Sequence, residues 1–100
     1  MQYNPIQYSV TTYSSRYNIK PSFIQELYEM GLIELQKEKE EYYIIEDQLA
    51  QLDRFARLHR DLNINAAGME VVEELLSRIS DLKEKMRILE SKVSLLRDID

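Results

Sequence analysis

The chain has no cysteine, which excludes disulfides, thiolate metal sites and a cysteine nucleophile. It has no apolar run near the roughly 18 to 20 residues of a membrane span. Its opening, Met-Gln-Tyr-Asn-Pro, carries neither the basic nor the apolar stretch of a secretion signal, so a cytoplasmic location is expected. Only two glycines and two prolines punctuate its 100 residues; turns are therefore few, and the abundance of Glu, Leu, Lys, Gln and Arg predicts a mostly α protein. Basic charge is scarce in the first fifty residues, where four basic side chains (Arg16, Lys20, Lys37, Lys39) stand against eight acidic ones, a formal −4. Duplex DNA is bound largely by neutralising phosphates with Lys and Arg, so this half points to a partner other than nucleic acid.

Chemistry is equally sparse. There is no carboxylate pair, nucleophile with a base, or Gly-rich phosphate loop in a context that would support catalysis. His59 is the single histidine, with no ligand at metal spacing, and is expected on the surface or at a cap. No enzyme, metal or cofactor is therefore expected. The overall charge of −5 favours solubility and basic partners. The length allows one domain and one long extension, and so small a domain gains from oligomerisation.

What is present is a succession of short amphipathic elements. Residues up to Tyr8 read as a loose lead-in. Val10 to Tyr17 predicts a short helix capped by Ser9 or Thr11, followed by a tight turn at Asn18-Ile19-Lys20. Pro21 suits a first helical position, and a second helix to about Met30 buries Phe23, Ile24 and Leu27. Gly31 closes it in the left-handed conformation, and Leu32 to Leu35 predicts a strand. Gln36 to Glu41 reads as a charged, solvated turn, and Tyr42 to Ile45 as a second strand, making a two-stranded wing. A third helix is expected over Glu46 to Leu62, stopping at Asn63-Ile64-Asn65, with Asn65 capping a last helix from Ala66.

That last helix carries an unbroken heptad. Val72, Leu75, Ile79, Leu82, Met86, Leu89, Val93 and Leu96 are spaced alternately three and four apart, with Val, Ile, Met and Val at a and Leu at every d, a combination that favours two strands in parallel coiled coils. The flanking charges select no orientation: a parallel pair sets Arg78 against Lys83 and Lys92 against Arg97, while an antiparallel pair brings Lys85 near Lys92. Ile88, Leu95 and Ile99 widen the apolar face, so more than two helices can meet there. Only the first turns reach the preceding domain, and self-association through the seam, most simply a homodimer, is expected.

A helix-turn-helix, a wing, a helix and a long dimerising helix in this order resemble the MerR-type winged-helix architecture, with Tyr8-Ser9-Val10, the turn at Asn18-Ile19 and Gly31-Leu32-Ile33 carrying the match. The expected fold is therefore mainly α: a MerR-like winged helix-turn-helix domain over 1–65 with a small two-stranded wing, then a long C-terminal coiled-coil helix over 66–100. The segment Arg57-Leu58-His59-Arg60-Asp61-Leu62-Asn63-Ile64-Asn65, with Gly68 and then Leu75-Leu76, Ile79 and Leu82, resembles the chaperone modulator CbpM family, an offshoot of the MerR-like group. That resemblance implies a non-catalytic bacterial protein that binds the J-domain of a DnaJ-like co-chaperone, CbpA, and restrains its stimulation of Hsp70 and its binding to DNA.

Departures from DNA-reading MerR regulators agree with this. Where those regulators carry Arg-Tyr-Tyr near the end of the recognition helix, this chain has Gln25-Glu26-Leu27, and the wing offers Glu38, Glu40 and Glu41 beside two lysines. J-domains usually present a basic helix, which an acidic winged helix complements by charge. The candidate contact residues are Gln25, Glu26, Tyr28, Glu29, Glu40 and Tyr42, with Tyr43 a further possible anchor; each also fits a solvated face or wing packing. Arg54, Arg57 and Arg60 form the one basic cluster, more apt for pairing with carboxylates such as Asp53, Asp61 or Glu46 than for phosphates. The competing expectation is a MerR-like transcriptional regulator whose long helices space two reading heads on a near-palindromic operator.

Overall fold

The computed structural model describes residues 6–98; the first five residues of the lead-in expected up to Tyr8, and the apolar contribution of Ile99, lie outside them. The chain runs β1 (Gln7–Ser9), α1 (Val10–Tyr17), α2 (Pro21–Glu29), β2 (Gln36–Glu38), β3 (Glu41–Ile45), a 3₁₀ turn (Glu46–Gln48), α3 (Leu49–Leu62) and α4 (Ala66–Arg97). It is mainly helical, with a small antiparallel sheet and a long C-terminal helix, as a winged helix-turn-helix requires. Among the described residues no helix is long and apolar enough to cross a membrane. The chain forms two compact units, residues 1–70 and 71–100.

In the first unit the helix ends lie where local chemistry puts them. Ser9 caps α1 by accepting from the Thr12 amide at 3.0 Å, and Asn18 ends it with φ of 54°. Pro21 opens α2 at a position whose N–H has no helical partner in any case. Gly31, at φ of 76°, closes α2: its amide bonds the Tyr28 carbonyl at 3.0 Å, and the Leu32 amide bonds the Leu27 carbonyl at 2.9 Å. This paired closure is the Schellman motif.

Several expectations need correction. The wing is part of a three-stranded sheet in the order β1-β3-β2, because the supposed lead-in pairs with β3 in the register Gln7↔Ile45, Tyr8↔Ile44, Ser9↔Tyr43. That pairing satisfies backbone groups on the β3 edge that a two-stranded wing would leave open. The strand expected over Leu32 to Leu35 is irregular chain instead. Side chains of the following elements take its backbone groups: Gln48 Oε1 accepts from the Glu34 amide at 3.0 Å and Gln51 Nε2 donates to the Leu32 carbonyl at 2.8 Å. The strand starts at Gln36, so the charged stretch expected as a solvated turn is mostly hairpin, pairing Gln36↔Tyr43, Lys37↔Tyr42 and Glu38↔Glu41. Only Lys39 and Glu40 form its loop, with Lys39 at φ of 56°. The third helix begins at Leu49, after the 3₁₀ turn over Glu46–Gln48.

Among the described residues, twelve buried side chains form the core, drawn from every helix of the unit, from β3 and from the connections: Tyr13, Ile19, Phe23, Ile24, Leu27, Ile33, Ile44, Leu52, Phe55, Ala56, Ala66 and Met69. Ala66 and Met69 belong to the first turn of α4, so the core draws on the chain past residue 65. At the rim the Tyr13 hydroxyl donates to Asp53 Oδ1, tying α1 to α3. Burial of the phenol, and then this bond to a carboxylate, hold the Tyr13 hydroxyl well above the usual tyrosine range.

The corner between α3 and α4 is held by side-chain bonds to backbone and by one close glycine contact. Asn63 ends α3 at φ of 55°, His59 Nδ1 bonds the Ile64 carbonyl at 2.8 Å, and Asn65 Oδ1 accepts from the Gly68 amide at 2.8 Å. A Cβ on Gly68 would lie 2.7 Å from Ile64 Cγ2 and 3.2 Å from that capping oxygen, so the close approach itself demands glycine. Gly68→Ala is therefore expected to lower stability by about 1–2 kcal/mol despite the helix propensity it gains. A lowered urea midpoint of the full chain with unchanged m-value is the measurement that checks this.

In the second unit α4 continues to Arg97 with exposed ion pairs Arg78–Glu74 at 2.8 Å and Arg87–Glu84 at 2.7 Å. Its apolar seam is uncovered: Leu75, Ile79, Leu82, Met86, Leu89, Val93 and Leu96 are all exposed, as are Leu76, Ile88 and Leu95 beside them. Val72, the first seam residue, is half-buried.

Candidate functional site

Helix α2 buries Phe23, Ile24 and Leu27, and the 3.6-residue period then sends Gln25, Glu26, Tyr28 and Glu29 outward over two different sectors. In β3, Ile44 is fully buried, and the two-residue period puts Tyr42 on the same face of the strand and Tyr43 on the opposite one. These two periods bring Tyr28 and Tyr42 together, with ring centroids 5.8 Å apart at 57°. The Lys37 ammonium, across the hairpin from Tyr42, lies 5.6 Å from its ring centroid. Gln25 Nε2 donates to Glu29 Oε1 at a long 3.4 Å. The result is one surface across α2 and the wing, with two tyrosine rings at its middle, Lys37 beside Tyr42 and Glu29 on α2.

The candidate contact residues therefore divide. Gln25, Tyr28, Glu29 and Tyr42 form this face. Glu26 is not part of it: it lines a separate open groove of about 870 Å³ whose walls come from α1, the start of α2 and the α3–α4 corner. Glu40 is exposed in the hairpin loop. Tyr43 is turned to the other side of the sheet, where its hydroxyl donates to Glu41 Oε2 at 3.4 Å. The charge of Glu41 is the main reason the Tyr43 hydroxyl is raised above its ordinary range. The tyrosine pairing and the groove are what sequence reasoning missed; aromatic residues at 28 and 42 were the only signal for the first, and nothing linear announces the second.

The remaining singled-out side chains serve the fold. His59, besides its bond at the corner, stacks on Phe23 with centroids 4.0 Å apart and planes within 13°. Arg60 pairs with Asp61 at 3.6 Å and donates to the Tyr17 carbonyl at 3.5 Å. Asp53, an expected arginine partner, accepts from Tyr13. Among the described residues no group of three or more His, Cys, Asp or Glu is placed to hold a metal.

The double substitution Tyr28→Ala with Tyr42→Ala, compared with each single change, is expected to give a coupling of about 0.5–1.5 kcal/mol. Equilibrium denaturation of the four proteins measures it, and additive effects would show that the rings do not support one another.

A family model described as MerR HTH family regulatory protein matches residues 8–91. No curated protein and no solved structure matches the chain.

Proposed function

The chain belongs to the MerR HTH family of regulatory proteins, and from that premise we propose that it is a non-catalytic regulator whose α2–wing face binds the J-domain of a DnaJ-like co-chaperone and inhibits it. The observation that carries this reading is the chemistry of that face. Its centre is the tyrosine pair Tyr28 and Tyr42, amphipathic rings of the kind that anchor protein contacts. Across α2 and the wing as a whole, counting both faces of the hairpin, the exposed carboxylates Glu29, Glu38, Glu40 and Glu41 outnumber Lys37 and Lys39. That net charge disfavours a phosphate backbone and favours a basic partner. The resemblance of Arg57 to Gly68 to the chaperone modulators supports the same partner.

The long helix completes the proposal. From Leu75 to Leu96 every a and d side chain is exposed in the single chain, a continuous apolar stripe that a second copy covers by coiled-coil packing. We take the acting species to be a homodimer located in the cytoplasm. The second reading, a DNA-binding transcriptional regulator, is favoured by the family itself, and it differs in a measurable way: DNA binding requires a salt-sensitive shift of duplex DNA by the purified chain.

Titration of the full chain with an isolated J-domain tests the preferred reading. Glu29→Lys is expected to weaken binding about tenfold, equivalent to about 1.4 kcal/mol, whereas Glu26→Lys, off the tyrosine face, weakens it less. Equal affinity of the Glu29 variant and the parent sinks the proposed face. Sedimentation of the Leu82→Asp, Leu89→Asp double variant is expected to report a monomer where the parent chain is a dimer.

A further inference from the structure

The tyrosine face carries a cation of its own. Lys37 stands opposite Tyr42 across the hairpin, and its ammonium lies 5.6 Å from the Tyr42 ring centroid, within the roughly 6 Å over which the negative face of a ring attracts a cation. The two-residue period turns Glu38 and Glu41, which face one another across the hairpin, to the other side of the sheet with Tyr43. Among the described residues Lys37 has no hydrogen bond and no ion pair, so the ring is what its charge meets. Tyr28 stands against Tyr42 at 5.8 Å and 57°, and rings tilted by that much do not cover each other's faces as a stacked pair does.

A basic partner approaching this face therefore meets a like charge first. Two cations cannot share one ring without repelling each other, so an incoming one has to displace the Lys37 ammonium. Displacement breaks no bond, because Lys37 is exposed and its flexible stem lets the ammonium return to water. An incoming lysine would gain nothing over the one it replaces. An arginine does gain: its planar guanidinium is more weakly hydrated and stacks on a ring, and it keeps N–H donors for the exposed Glu29 carboxylate, which is held only by the long 3.4 Å contact from Gln25.

We infer that the Tyr28–Tyr42 pair receives an arginine side chain of the partner, and that Lys37 occupies the place until the partner arrives. Lys37 is then an internal competitor that admits arginine and turns lysine away. The inference rests on the proposed use of this face for a basic protein partner, and it adds which side chain of that partner the rings select.

The test is an NMR titration of the full chain with an end-blocked tri-arginine peptide, and separately with tri-lysine and tri-citrulline, at matched ionic strength. Saturable shifts of the Tyr28 and Tyr42 ring signals are expected with tri-arginine, weaker with tri-lysine and absent with tri-citrulline, which keeps the shape of arginine without its charge. Lys37→Gln is expected to tighten tri-arginine binding about threefold, and Lys39→Gln, the same charge change in the hairpin loop, to alter it less. Tyr42→Leu is expected to abolish both the binding and the effect of Lys37→Gln, while Tyr42→Phe keeps them. Equal effects of Lys37→Gln and Lys39→Gln would reduce the contact to general charge and overturn the inference. So would equal affinity for tri-lysine, ring shifts that do not saturate, or shifts at Tyr43 in place of Tyr28 and Tyr42. Titration of the same variants with the isolated J-domain separates this inference from the reading beneath it. A J-domain that fails to bind while the tri-arginine results hold removes that partner and supports the site; one that binds the parent, Lys37→Gln and Lys39→Gln equally keeps the partner and overturns the site.

Discussion

A core of twelve side chains has to close a unit of seventy residues, and the position of every exposed feature of that unit follows from how it does so. So small a core leaves little reserve, and α2 must commit Phe23, Ile24 and Leu27 to it while β3 commits Ile44. Once those are buried, helix and strand periods leave no choice about the rest. Gln25, Tyr28 and Glu29 emerge on one sector of α2, Glu26 on another, and Tyr42 comes to the core-side rim of the wing, where it meets Tyr28. The candidate face is thus the outer surface of the same packing that stabilises the unit.

The segment with the most recognisable sequence, from Arg57 to Gly68, has a different task. Its residues build the α3–α4 corner: a left-handed Asn63, a histidine bonded to a carbonyl across the turn, an asparagine cap and a glycine that admits Ile64. None of them lies on the tyrosine face. The resemblance carried by this corner is thus to a structural joint, and the contact residues proposed for a partner lie elsewhere, on α2 and the wing. Shape and charge are separable here, since a helix-turn-helix layout is combined with a net acidic first half.

The long helix poses the opposite balance. Its hydrophobic pattern is regular over four heptads, and from Leu75 to Leu96 the seam side chains are exposed. An apolar stripe of that length is stable in water only when another surface removes it from solvent. The first unit, by contrast, carries a closed core.

The sequence by itself determined what is local or periodic. Caps at Ser9 and Asn65, the prolyl start at Pro21, the glycine stop at Gly31, the buried face of α2 and the heptad of α4 were all legible, because each depends on residues within one or two turns of one another. The net acidity of the first half was equally plain. Only the tertiary structure decided the rest. The opening strand exists because β3, some thirty-five residues later, has an edge to fill; Leu32 to Leu35 is not a strand because Gln48 and Gln51 reach back to its backbone. The division of the candidate residues into a tyrosine face and a groove likewise depends on pairings between distant segments. Such contacts are chosen by which backbone groups and side chains remain unsatisfied after the core has closed, and no local window of sequence contains that information.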